Sequence, residues 1–165
     1  MIKHSAGILM YRWQEEALEV FLVHPGGPYW AKQDPGAWSI PKGEFDIEVE
    51  DPLEAAKREL AEETGCVVEG EFISLDTLKQ SGFKMVHAWA IAGDCDATKI
   101  ISNTFSMEWP PHSGKQQDFP EVDRAGWFDI ETAKIKLLKG QRPFIHRLLN
   151  KINPGVQGGS PWTPD

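Results

Sequence analysis

The chain has little cysteine, no long apolar run and a shortage of positive charge, and each lack narrows what it can be. Two cysteines, Cys66 and Cys95, cannot build a disulfide framework, and neither belongs to a C-x-x-C pair. That usage leads us to expect a reducing cytoplasm. No stretch approaches the roughly 20 apolar residues of a membrane helix. Runs such as VFLV at 20–23 and AWAIA at 88–92 are strand-sized. The N-terminal MIKHSAGILMYRW has no extended hydrophobic region and no cleavage pattern, so no signal peptide is expected. The five histidines (His4, His24, His87, His112, His146) show no metal-ligand spacing. They read as structural or surface groups, with His24 and His112 the two worth testing. Seventeen basic against 25 acidic residues give a net charge of −8, which argues against broad nonspecific nucleic-acid binding.

What is present suits one soluble domain of 165 residues, 41% hydrophobic and 10% aromatic. Residues 2–13 and 18–24 read as strands of a hairpin. Residues 24–37 (HPGGPYWAKQDPGA) read as a loop. Residues 38–40 are expected to form a short strand that Pro41-Lys42-Gly43 ends. The strongest helix signal covers Pro52 to about Thr64, with Asp51 as cap, Glu54 completing a capping-box pattern and Gly65 as a left-handed stop. Strands are expected at 70–79, 83–92, 104–109 and 125–128, and a loop at 110–120. A helix is expected from about 130 to 139, ended by Gly140, and another around 143–152. Residues 1–152 thus form the expected domain, and the breaker-rich 153–165 (NPGVQGGSPWTPD) a flexible tail.

The acid is concentrated. From Glu44 to Glu63 there are nine carboxylates against Lys57 and Arg58, which is −7 of the total −8. At 100° per residue, Leu53, Ala56, Leu60 and Thr64 fall within an arc of about 80°, the stripe expected to be buried. Glu59, Glu62 and Glu63 fall in an adjoining arc of about 100°, so three carboxylates project together beside the buried stripe. As a stability choice this is poor. Glu59 and Glu63 are like charges at i,i+4, and Glu62 and Glu63 lie where the helix dipole is negative; each fault costs a few tenths of a kcal/mol. Carboxylate oxygens without nearby His or Cys favour a hard divalent ion, Mg²⁺ or Mn²⁺. Such ions bridge phosphate oxygens and activate water, so chemistry of the phosphate-hydrolysis type is expected. Arg58 points about 100° from the centre of the cluster, where it can brace Glu59 or Glu50.

Residues 43–66, GEFDIEVEDPLEAAKRELAEETGC, resemble the Nudix box: G, five residues, E, seven residues, REU, one residue, EE, one residue, GU, with U apolar. Glu50, Arg58-Glu59-Leu60, Glu62-Glu63, Gly65 and Cys66 match, while six residues instead of five separate Gly43 from Glu50. The resemblance implies an α/β fold, the Nudix α/β/α sandwich around a mixed central sheet. It also implies an Mg²⁺- or Mn²⁺-dependent hydrolase of a nucleoside diphosphate linked to another group. Glu59, Glu62, Glu63 and the Gly43 carbonyl would bind metal, and Arg58 would hold a catalytic glutamate. Glu50 fits a metal role or a helix-start ion pair. A further carboxylate from a later loop is implied, with Glu121 first choice and Glu108 second, to orient water or add to the metal site. Cys66, at the last apolar position, reads as buried filler.

The preceding PKG (Pro41-Lys42-Gly43) is similar to the segment before the box in diadenosine tetraphosphate hydrolases. Lys42 would then contact a polyphosphate, the alternative being a plain surface lysine. Trp38, Trp89 and Trp127 read as core. Tyr29, Trp30 and Trp109 border loops, where a ring can stack on a base or cover the core. His112 and Lys115 lie in the loop expected to act as lid and specificity element. The expected partner is a small nucleotide, not a membrane; no nucleic acid is expected beyond an RNA 5′ end. Three functions remain open: a dinucleoside polyphosphate hydrolase, a pyrophosphohydrolase of nucleoside triphosphates or RNA 5′ ends, and a nucleotide-binding module without turnover.

Overall fold

The computed structural model describes residues 2–152; the expected tail, 153–165, lies outside the described residues. Strands β1 (Lys3–Gln14) and β2 (Ala17–Pro25) form the expected hairpin, in register from Tyr11–Val20 to Gln14–Ala17. Along one edge, β1 runs parallel to β5 (Lys84–Ala92), which pairs antiparallel with β4 (Ile73–Gln80). The other edge of β1 is divided. Its first half pairs with β3 (Lys42–Phe45), from His4–Phe45 to Gly7–Lys42, and its last residues pair with β2. Strand β8 (Val122–Asp129) closes the far side of β2. The six strands make one mixed sheet, and β6 (Thr104–Glu108) and β7 (Gln116–Pro120) make a separate hairpin.

Alternation along the central strands sorts side chains to two faces. Leu9, Val20 and Leu22 pack with α2 (Ile130–Lys136) and α3 (Arg142–Ile152) through Ala133, Phe144, Ile145 and Leu148. Ile8, Met10, Phe21 and Val23 pack with α1 (Pro52–Thr64) through Ala55, Ala56 and Leu60. Helices on both faces explain why β1 and β2 read as unbroken apolar runs instead of alternating ones. The expected α/β/α sandwich is what these residues build.

Several local expectations need correction. Residues 38–40 form only isolated bridges, Val23 with Ser39 and Trp38 with Leu137; the strand is Lys42–Phe45, beginning where Pro41-Lys42-Gly43 was expected to end one. Pairing with β1 supplies what local propensity lacks there. The loop expected at 110–120 contains β7, paired along its length with β6. The helix after Asp129 stops at Lys136 because Leu137 turns extended to meet Trp38, and Gly140 lies in a short 3-10 turn. Cys66 is buried as expected, but it is joined to Cys95, with Cα atoms 6.2 Å apart. This bridge removes the cysteine-based reason for expecting a reducing compartment.

One buried side chain holds the approach to β3. Gln141, 2% exposed, accepts a hydrogen bond from the Ile40 N–H through Oε1 (3.0 Å) and donates from Nε2 to Ser39 Oγ (3.0 Å). It substitutes for the sheet partner that the Ile40 N–H lacks. Gln141→Met keeps the volume but leaves a buried N–H unpaired. Urea denaturation is expected to show a loss of about 1–3 kcal/mol.

Candidate active site

Helix α1 begins as expected. Asp51 Oδ2 accepts from Leu53 N–H (3.1 Å) and Glu54 N–H (3.2 Å), Pro52 takes the first turn, and Gly65 closes the helix at φ 79°. The Glu54 carboxylate turns to Lys57 at 3.3 Å. No basic residue serves the last turn. Its carbonyls are met instead by residues 101–103: Ile101 N–H donates to Thr64 O (2.9 Å) and Asn103 N–H to Glu62 O (2.8 Å). The Asn103 carbonyl then accepts from Glu121 N–H (2.8 Å), and the Glu121 carbonyl accepts from Gly26 N–H (2.9 Å). A backbone relay therefore fixes Glu121 beside the acidic end of α1. Sequence reasoning missed residues 101–103, whose contribution is main-chain geometry with no side-chain signature.

Arg58 is the hub of the acidic face. Its Nε and Nη2 grip both oxygens of Glu50 at 2.8 Å, while Nη1 donates to Glu59 Oε1 (2.9 Å) and Glu62 Oε2 (3.0 Å). The Arg58–Glu50 hydrogen bond holds the Glu50 carboxyl below its ordinary range, and the same bond is the main force keeping Arg58 charged. The residue between Gly43 and Glu50 that exceeds the box pattern is absorbed in a turn. Both Val49 N–H (3.0 Å) and Glu50 N–H (2.9 Å) donate to the Asp46 carbonyl.

Gly43 pairs with Ala6 in the sheet and lies directly against Glu59; a Cβ there would overlap the Glu59 carboxylate, with Oε2 nearest. The next strand residue, Lys42, donates its backbone N–H to Glu63 Oε1 at 3.2 Å. Glu59 is buried at 7% exposure, with its carboxyl pushed up mainly by burial. Burial, then the neighbouring Glu59, pushes the Glu63 carboxyl up to about 8, and Glu121 adds to both shifts. Lys42 is pushed down by burial, against the opposing pull of Glu63.

Among the described residues, no three His, Cys, Asp or Glu side chains stand as a ready-made metal cage. The Arg58 guanidinium is the cation that gathers Glu59 and Glu62. It engages one oxygen of each, and the Glu59 oxygen left over faces the Gly43 backbone. An all-oxygen donor set, a glycine where a side chain would collide, and carboxyls destabilised by mutual crowding fit a hard divalent ion.

A cleft of about 210 Å³ opens beside these groups, lined by Trp30, Ser39, Lys42, Glu63, Glu121, Leu138 and others. It brings together four residues singled out from sequence. Trp30 is 41% exposed, with its ring available at the rim. Trp109, His112 and Lys115 belong instead to the β6–β7 hairpin, where Trp109 N–H donates to Lys115 O (2.9 Å). That hairpin meets the 24–37 loop through an edge-to-face contact of Trp109 with Tyr29 at 5.4 Å. Glu108, the second choice for a distant carboxylate, caps its own turn by accepting from His112 N–H (3.2 Å) and Gly114 N–H (2.9 Å). His24 is fully buried between the Asp123 carboxylate (2.8 Å) and the Gln33 carbonyl (2.6 Å), pinning the loop that carries Trp30.

The raised Glu63 carboxyl has a consequence for stability. A folded value near 8 against an ordinary 4.5 stabilises the fold fully below about pH 4.5, and that contribution disappears as pH rises through 8. Without divalent ions, the wild type is expected to lose stability relative to Glu63→Gln between pH 5 and pH 8. Thermal unfolding of both proteins across that range checks this, and parallel curves would contradict it.

Comparison with known proteins bears on the fold and the family. The NUDIX domain model matches residues 1–148. The RNA pyrophosphohydrolase of Bartonella henselae is 26% identical over 136 residues, covering 73% of each chain. Among solved structures, the NUDIX domain of Shewanella oneidensis NrtR, complexed with ADP ribose, superposes with a TM-score of 0.62 at 16% identity, covering 93% of this chain and 90% of that one. The Ap4A hydrolase of C. elegans gives 0.60 at 20% identity, covering 92% of this chain and 99% of that one. With its box on α1 and its sandwich fold, the chain belongs to the NUDIX family.

Proposed function

We propose that residues 1–152 form a divalent-metal-dependent hydrolase that cleaves the diphosphate linkage of a nucleoside diphosphate derivative, with a dinucleoside polyphosphate as the best-fitting substrate. One observation carries the reading: Lys42, Glu63 and Glu121 line one cleft from three separate parts of the chain, with Gly43 and Glu59 packed against each other on the strand and helix that supply two of them. Glu59, Glu62, Glu63 and the Gly43 carbonyl would hold Mg²⁺ or Mn²⁺. A divalent ion bound there neutralises charge on the phosphate oxygens and makes bound water more acidic.

The chain's own groups do the rest. Arg58 keeps Glu59 and Glu62 oriented and is itself held by both oxygens of Glu50. Lys42 places an ammonium at the cleft to bind a phosphate oxygen. Glu121 lines the cleft beside Glu63, where a carboxylate can orient water and accept its proton. Trp30 offers a face for a base at the rim. The substrate is a small molecule, and among the described residues no helix is long and apolar enough to cross a membrane.

A second reading, removal of pyrophosphate from an RNA 5′ end or a nucleoside triphosphate, is favoured by the likeness to the Bartonella henselae RNA pyrophosphohydrolase. A hydrolysis screen over dinucleoside polyphosphates, nucleoside triphosphates, sugar nucleotides and 5′-triphosphorylated RNA, with and without Mg²⁺, separates the two. Turnover is expected only with the ion and best on a dinucleoside polyphosphate. Glu62→Gln or Glu63→Gln is expected to lower the rate by about 10²-fold or more, roughly 3 kcal/mol of transition-state stabilisation. Full activity in either variant would contradict the assigned ligands, and nucleotide binding without turnover would make the chain a binding module.

A further inference from the structure

Lys42 lines two hollows. One is the cleft shared with Glu63, Glu121 and Trp30. The other, also about 210 Å³, is lined by Lys3, Ser5, Lys42, Gly43, Glu44 and Lys84. Sheet register explains the grouping. Lys84 pairs with Lys3, Glu44 with Ser5 and Lys42 with Gly7, so three lysines border the first five residues of β1, about 13 Å from end to end. Alternation puts Lys3 and Ser5 on one face of that strand.

The charge here runs against the rest of the molecule. In a chain of net charge −8, three ammonium groups share one hollow with a single acid, Glu44, on its wall. Lys42 and Lys84 lie close enough to repel each other. Among the described residues, none of the three has a carboxylate partner within ion-pair distance, whereas Lys57, Lys99, Lys134 and Lys136 each do. Lys42 also feels Glu63, Glu44 and Glu59, so Lys3 and Lys84 are the two lysines of the hollow best suited to an anionic ligand. The hollow shares Lys3 and Glu44 with a third one of about 380 Å³, where Asp46 and Glu48 join Glu44, so an anionic chain is expected to end at the lysines.

We propose that Lys3 and Lys84, continuing from Lys42, form a cradle for phosphates beyond the anhydride that is cut, so that the site selects substrates with three or more consecutive phosphates over simple diphosphates. This rests on the function proposed above, because it takes the cleft at Lys42 as the place of cleavage. A diphosphate such as ADP-ribose is used up in spanning that cleft. A triphosphate or tetraphosphate carries further charge onto Lys84 and Lys3.

Calorimetric titration with inorganic tripolyphosphate and with pyrophosphate, in the presence of Mg²⁺, tests the cradle apart from turnover. The wild type is expected to bind tripolyphosphate about tenfold or more tightly than pyrophosphate, the scale of one charge-assisted contact. The Lys3→Gln/Lys84→Gln protein is expected to lose that preference while binding pyrophosphate as before. Equal affinities in the wild type, or a preference that survives the double substitution, would overturn the cradle whatever the hydrolysis screen shows. A preference that depends on both lysines supports it even if no anhydride is cut, an outcome that would count against the proposed reaction alone. Unchanged thermal unfolding of the double variant distinguishes a lost contact from a lost fold.

Discussion

A single guanidinium holds the acidic face of α1 together. Nine carboxylates between Glu44 and Glu63 would otherwise repel one another across one helix and the loop before it. Arg58 answers three of them at once, gripping Glu50 with two nitrogens and sharing the third between Glu59 and Glu62. The geometry is one that Lys could not reproduce, because an ammonium has no fork to match a carboxylate. Glu63 lies outside this network and takes only the Lys42 backbone N–H. It is therefore the group whose carboxyl is driven furthest from its ordinary range, by burial and by Glu59.

The sheet supplies the other half of the constraint. Because β1 shares one edge between β3 and β2, a short strand is brought to lie beneath α1. That strand carries Lys42 and Gly43 into contact with Glu63 and Glu59. The requirement for glycine at 43 comes from close approach, since its partner across the gap is a carboxylate and a methyl group would fill the same space. Gln141 and the 101–103 segment extend the same logic. Each satisfies backbone groups left over where a strand or a helix stops, and each thereby fixes a neighbour of the cleft.

Legibility from sequence followed the range of the interactions. Helix α1, its Asp51 cap and its Gly65 stop were readable because they depend on residues within a turn or two. So was the β1–β2 hairpin, from two apolar runs around a polar turn. Strand β3 was not, since Pro41-Lys42-Gly43 reads as a break and becomes a strand only by pairing with residues 35 or more positions away. The same holds for β7, whose partner β6 overrides a segment with turn-like composition. The pairing of Cys66 with Cys95 spans 29 residues and has no local signature. At the site, helix geometry points to Glu63, the Nudix resemblance to Lys42 and Glu121, and loop position to Trp30, and the four share one cleft. Loop position also points to Trp109, His112 and Lys115, and they occupy a hairpin in which Trp109 meets Tyr29 edge to face.

The central claim is that Glu59, packed against the Gly43 backbone, together with Glu62 and Glu63 binds a divalent ion. A crystal grown with Mn²⁺ and a non-hydrolysable dinucleoside polyphosphate tests it most directly, by the anomalous signal of the metal. The account predicts manganese peaks in contact with those carboxylates and the Gly43 carbonyl, with phosphate oxygens completing the shell. Peaks elsewhere on the molecule, or a site where the Arg58 network persists and no manganese enters, would contradict it.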